Sequence, residues 1–270
     1  MADSNEIKAM VKEKYGEIAK SKTDSGCCGT TGCCGTADLD YSIMSDDYTK
    51  LEGYVAEADL NLGCGIPVEH ANIKKGDVVI DLGSGAGNDV FVARSIVGDT
   101  GKVIGIDMTE EMLKKAVANN VKLGFENVEF KLGDIEELPL ESNLADVVVS
   151  NCVLNLVPDK NKAFGEIHRV LKAKGHFCIS DVVLSGELPE DLRKSAEMYA
   201  GCVSGAIQQD EYLGIINRYG FTDVEIKASK KIDLPEEVLR KYLKDEQYFS
   251  HKESNVGIHS ITVVGTKKCC

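Results

Sequence analysis

The sequence predicts an α/β protein built on a doubly wound parallel sheet, and three observations carry that expectation. From Asp77 onward the short β-rich runs "DVVIDLG", "GKVIGID", "NVEFKLGD", "ADVVVSN" and "GHFCISDVVL" are separated by amphipathic stretches, which is the order that βαβ units produce. The runs are apolar without polar alternation, as strands covered on both faces require. A glycine-rich turn, "DLGSGAGND", follows the first run and opens a helical pattern, and this strand, turn and helix context gives a glycine spacing its meaning.

Taken in order, Ile7, Met10, Val11, Lys14, Tyr15 and Ile18 fall near helical spacing behind a capping box of Asp3 and Glu6, so the chain opens on an amphipathic helix. Residues Ser21 to Ala37 are Gly, Ser, Thr and Cys with almost nothing to bury, and "GCCGT" occurs twice; this predicts a flexible loop. Within the core, "TEEMLKKAVANNVKLG" reads as a helix capped by Thr109, with Glu110 and Glu111 in its first turn and Gly124 past its end. Beyond about Asp181 come helices near "LPEDLRKSAEMYAG" and "QDEYLGIINRYG", a strand at "TDVEIKA", a helix around "PEEVLRKYLKDE" and a last strand at "GIHSITVVGT". The expected organisation is three parts: residues 1–72 as helix, Cys-rich loop and substrate-side segment, 73–184 as the core, and 185–270 completing the sheet and covering its ligand edge.

Composition narrows the function classes. Of the 270 residues, 43% are hydrophobic and 28% charged, and no apolar run approaches the roughly eighteen residues of a membrane span. The N-terminus alternates charge with apolar residues, unlike a secretory signal, so a soluble, cytoplasmic protein is expected. A net charge of −13 with no basic cluster argues against nucleic acid. Ten cysteines in a reducing compartment are expected to be mainly thiols serving metal binding or redox chemistry. Adjacent Cα atoms lie about 3.8 Å apart, below the roughly 4.4–6.8 Å that disulfides prefer. A bridge within Cys27–Cys28 would be strained; chelation or electron exchange suits such a pair better.

The glycine loop carries the cofactor reading. Gly83, Gly85 and Gly87 have GxGxG spacing, but Asn88 stands where a dinucleotide fingerprint wants a small residue. Asp81 would repel a pyrophosphate and suits a ligand bearing an ammonium group. Gly83 and Gly85 let the backbone approach that ligand, and helix N-terminal amides can face its carboxylate. Asp107, at the end of the second strand, is placed to accept from a ribose diol. Asp134 and Ile135, ending the third, offer an adenine one polar and one apolar neighbour. Carboxylate, amine, ribose and adenine together describe S-adenosylmethionine; Ser84, Asn88, Met108 and Asn151 complete the expected cofactor set. The bland alternative is a glycine turn with no nucleotide.

The remaining cysteines stand at Cys64 in "LNLGCGIP", Cys152 in "VVSNCVLNLVPD", Cys202 in "YAGCVSGA" and Cys178, which Phe177 and Ile179 flank as a buried hydrophobe. With "DLGSGAG", "GIDMT" and an N-terminal "KYG", these stretches resemble the arsenite S-adenosylmethionine methyltransferases, from about Met10 to Gly220. The resemblance implies a class I, Rossmann-like methyltransferase fold, with As(III) bound by Cys64, Cys152 and Cys202, the last two nearest the metalloid, and an N-terminal cysteine in a thiol relay. That family typically carries one cysteine or one adjacent pair there, whereas this chain has Cys27, Cys28, Cys33 and Cys34. Cys27 and Cys28 are expected in the relay, with Cys33, Cys34, Cys269 and Cys270 as auxiliary thiols. A separate four-thiolate zinc clip and a disordered terminus are the competing readings of the pairs. The five histidines form no metal-ligand spacing.

Soft thiolates suit a soft acceptor. Three of them hold As(III) as a pyramid whose lone pair attacks the sulfonium's methyl carbon in line as the thioether sulfur leaves, so positioning at about 3–3.5 Å does the work and no general base is needed. The two electrons lost by arsenic return when two thiols become a disulfide, which an external thiol reductant of the thioredoxin or glutathione kind then opens. A methyltransferase acting on a quinone or an organic thiol, and a thiol metal-binding or redox protein on the same scaffold, are the alternatives.

Overall fold

The computed structural model describes residues 4–21, 46–186, 205–232 and 257–269, and four isolated positions between 236 and 248. The helix expected near 188–201, all but three positions of that near 235–246, and Cys27, Cys28, Cys33, Cys34, Cys202 and Cys270 lie outside the described residues.

The chain opens with helix α1 (Ser4–Ser21) and a short α2 (Pro67–His70), then alternates β1 (Val78–Leu82), α3 (Asn88–Val97), β2 (Lys102–Asp107), α4 (Glu110–Leu123), β3 (Val128–Leu132), β4 (Ala145–Asn151), a 3₁₀ turn (Leu154–Leu156), α5 (Lys160–Val170) and β5 (Leu171–Ser185). Helix α6 (Gln209–Arg218), β6 (Phe221–Ile232) and β7 (Gly257–Lys267) follow. Among the described residues seven strands form one sheet in the order β3-β2-β1-β4-β5-β7-β6. The first five pair in parallel and β7 runs antiparallel between β5 and β6, so the C-terminal segment does finish the sheet. The chain steps outward from β1 to β3 and returns to β4 beside β1; such a reversal opens the crevice where α/β sheets hold ligands.

Burial on both faces explains the unbroken apolar runs. In β1, Ile80 and Leu82 join Phe164, Ile167, Phe177 and Tyr212 on one side, while Val79 faces Val90, Phe91, Val68, Ala71 and Tyr48 on the other. Residues 46–72 thus share a core with the sheet. Helix α4 has Thr109 as N-cap and Gly124 as its left-handed C-cap, φ +70°, as expected, but the Thr109 side chain makes no cap bond. Strand β5 begins four residues before the expected Gly175, because Leu171 already pairs with Ala145 ahead of a bulge. The buried Lys267 ammonium donates to the His168 and Leu171 carbonyls, each at 2.7 Å, and to Asn143 Oδ1 at 3.0 Å. It thereby satisfies the open carbonyls and the negative pole at the C-terminus of α5. No helix among the described residues is long and apolar enough to cross a membrane.

Candidate active site

A cleft opens at the β1/β4 reversal. The glycine loop forms its floor. Gly83, Gly85 and Gly87 all have positive φ, +72°, +53° and +102°, a conformation that costs other residues about 1–2 kcal/mol. They serve different ends. A Cβ on Gly83 would lie 2.4 Å from Val153 Cγ2, whereas one on Gly85 would meet no protein atom within 4 Å and points into open space.

The polar groups around the floor are set for a ligand. Ser84 Oγ and Asn88 Oδ1 are buried without a hydrogen-bond partner among the described residues, a state that costs free energy unless a ligand or water completes it. Asp81 is 2% exposed and receives no hydrogen bond from the described residues; burial first, then Asp89 and Asp107, push its carboxyl well above the usual range. A cation in the cleft would relieve it. Asp107 accepts from Gly85 N–H at 2.9 Å through one oxygen and from Thr109 N–H at 2.8 Å through the other. Met108 and Ile135 add apolar wall. Asp134 also lines the cleft, but its carboxylate receives Lys8 from α1 at 2.6 Å.

Of the sequence-predicted cysteines, the structure brings two together. Cys152 lines the cleft, and both Cys64 and Cys152 sit in one buried cluster with Val11, Leu156 and Tyr248. Cys64 does not itself line the cleft, although its neighbour Gly63 does. Cys152 has φ +59°, the left-handed region, while its N–H completes the ladder to Ser180 O at 2.7 Å. Strain of this kind in a thiol-bearing residue persists where the surrounding structure over-determines it. Cys178 is fully buried in β5 and burial pushes its thiol up to about 12, in keeping with a packing role. Exposed Cys269 is not brought to the cleft, since β7 delivers it to the sheet's opposite end. No group of three His, Cys, Asp or Glu side chains among the described residues is placed to hold a metal ion.

Sequence reasoning missed Lys8, Tyr48 and Asp89, all of which line the cleft. Asp89 accepts from the Tyr48 hydroxyl at 2.8 Å and from Asn151 at 3.3 Å, and burial raises its carboxyl to about 6. Its place in the first turn of α3 was the available signal, because an acid there meets the positive end of the helix.

A doubly wound sheet with a glycine loop at its reversal and unpartnered polar groups above it is the architecture of a methyltransferase, and the family described as "Methyltransferase domain" matches residues 73–220. Three comparisons narrow the class. The arsenite methyltransferase of Halobacterium salinarum is 42% identical over 234 residues, covering 83% of this chain and 59% of that protein. That of Aquipseudomonas alcaligenes is 32% identical over 252 residues, covering 89% and 69%. A crystal structure of an arsenic(III) S-adenosylmethionine methyltransferase from Chlamydomonas reinhardtii superposes with a TM-score of 0.65 at 34% identity, covering 76% of this chain and 68% of that one. The chain belongs to the arsenite methyltransferase family. It spans 59% of the length of the Halobacterium relative.

Proposed function

We propose that this chain methylates trivalent arsenic held by its cysteines, with S-adenosylmethionine as donor, in the cytoplasm and with an external thiol reductant as partner. The observation that carries the reading is the placement of Cys64 and Cys152 in one buried cluster, with Cys152 on the wall of the cleft whose floor is the glycine loop. Family membership supports it.

The residues present fit the cofactor. Asp81 supplies the counter-charge for its ammonium group, Ser84 and Asn88 supply unused polar atoms, Asp107 on the cleft wall is the acid for a ribose diol, and Ile135 with Met108 gives adenine an apolar wall. When bound, S-adenosylmethionine supplies a methyl group carried on a sulfonium. The chain's own part is to replace the oxygens of arsenite by sulfur from Cys64, Cys152 and Cys202, each thiol proton leaving with an oxygen as water. Cys27 or Cys28 then exchanges with these sulfurs, and after methylation two thiols become a disulfide, returning to arsenic the two electrons it put into the new bond. Both described thiols are at most 2% exposed.

The test is arsenite-dependent release of S-adenosylhomocysteine, abolished by Cys152→Ser or Cys202→Ser. Unchanged turnover in both variants would overturn the reading in favour of an organic methyl acceptor.

A further inference from the structure

Asn151, expected at the cofactor and lining the cleft, also engages the cysteine segment with its side chain. Its Oδ1 accepts the Cys64 N–H at 3.0 Å and its Nδ2 donates to the Gly65 carbonyl at 2.8 Å, so one carboxamide grips the main chain on both sides of Cys64. The orientation of the amide is fixed by those two groups: a flipped amide would set donor against donor and acceptor against acceptor. Nδ2 also donates to the Tyr48 hydroxyl at 2.8 Å, and that hydroxyl donates to Asp89 Oδ1 at 2.8 Å. From the other side the Ser260 hydroxyl donates to the Cys64 carbonyl.

The two glycines of "GCG" make this grip feasible. A Cβ on Gly63 would lie 2.5 Å from Asn151 Nδ2, and one on Gly65 would lie 2.5 Å from Ser180 Oγ. Asn151 is also the residue before Cys152, whose N–H is tied to Ser180 O at 2.7 Å. Two cysteines 88 positions apart in the sequence are therefore registered against each other through one side chain. Asp89, anchored in the first turn of α3, and Tyr48 prevent that side chain from turning.

We propose that Tyr48, Asp89 and Asn151 form a positioning unit that sets the separation of the Cys64 and Cys152 sulfurs and so the affinity for trivalent arsenic. The proposal rests on the reading of those cysteines as arsenic ligands. Short, directional bonds from several sulfurs to one centre leave little tolerance in the spacing of the donors, and donors held loosely by about 1 Å lose much of their advantage.

The experiment is steady-state kinetics of the full chain, with arsenite and S-adenosylmethionine varied separately, on wild type, Tyr48→Phe and Asp89→Asn. Asparagine keeps the size and one acceptor but turns a donor toward Asn151. In both variants the KM for arsenite is expected to rise about tenfold, the loss of roughly one buried hydrogen bond, while in Tyr48→Phe, which leaves the charges beside Asp81 unchanged, the KM for S-adenosylmethionine stays within about twofold. Parallel rises in both KM values of Tyr48→Phe, or no rise in folded variants, would overturn the proposal. Loss of fold in both would do the same, by assigning the unit to stability. If wild type itself shows no arsenite-dependent turnover, the functional reading fails instead, and the two failures are distinguishable.

Discussion

Lys8 Nζ lies 2.6 Å from Asp134 Oδ2, across 126 positions of sequence, and also contacts Glu136. The pair pins α1 to the cleft rim at the point where adenine is expected. It is partly exposed, with the Asp134 side chain at 39%, so screening limits its strength. Lys8→Met is expected to weaken S-adenosylhomocysteine binding about fivefold at low ionic strength, and less in about 0.5 M salt. Calorimetric titration at two salt concentrations checks this.

Gly83 and Gly85 predict opposite phenotypes. Gly83→Ala forces a Cβ to 2.4 Å from Val153 Cγ2 and should cost about 3 kcal/mol, read as a lower denaturation midpoint. Gly85→Ala meets no protein atom, so it should lose only about 1 kcal/mol to its positive φ. Its methyl group enters the cleft, however, and cofactor binding should fall by about tenfold or more. Equal stability losses in the two variants would contradict this division.

The left-handed backbone of Cys152 gives a signature independent of activity. Cys152→Gly and Cys152→Ala both remove the thiol, but alanine keeps the strain of φ +59°. The glycine variant should therefore be the more stable by about 1 kcal/mol, despite its smaller size, in chemical denaturation.

Asp181 is fully buried in β5, with the Tyr212 hydroxyl at 3.2 Å. Burial raises its carboxyl to about 7, partly offset by the charge of Lys160 and by hydrogen bonds. Below about pH 4 both folded and unfolded forms carry the proton. Between about 4 and 7 the folded form holds the proton more tightly, so this group's contribution to stability falls as pH rises. Asp181→Asn removes that dependence, and its advantage over wild type should grow by roughly 2 kcal/mol between about pH 5 and pH 8. Denaturation midpoints at the two pH values report it.

The strands and glycine loop were legible because their signals are local: apolar runs, a turn that only glycine adopts freely, caps at either end of α4. Cys64 and Cys152 were singled out by a family resemblance in their flanking residues, and the structure places both in one buried cluster. What escaped was set by long-range contact. Nothing near Tyr48 announces that its hydroxyl reaches Asp89, 41 positions on, and nothing near Asn151 announces that its side chain reaches the Cys64 segment.

The antiparallel course of β7 has a practical side. Ser260 bonds to the Cys64 carbonyl, and Lys267, seven positions further along the same strand, lies about 23 Å away at the usual rise per residue. Cys269 follows it at the far pole, where the Lys267 ammonium moors the strand to α5. A probe or surface linkage attached at that thiol leaves the mouth of the cleft facing outward, so the molecule can be immobilised by one end while its other end remains free to receive small molecules.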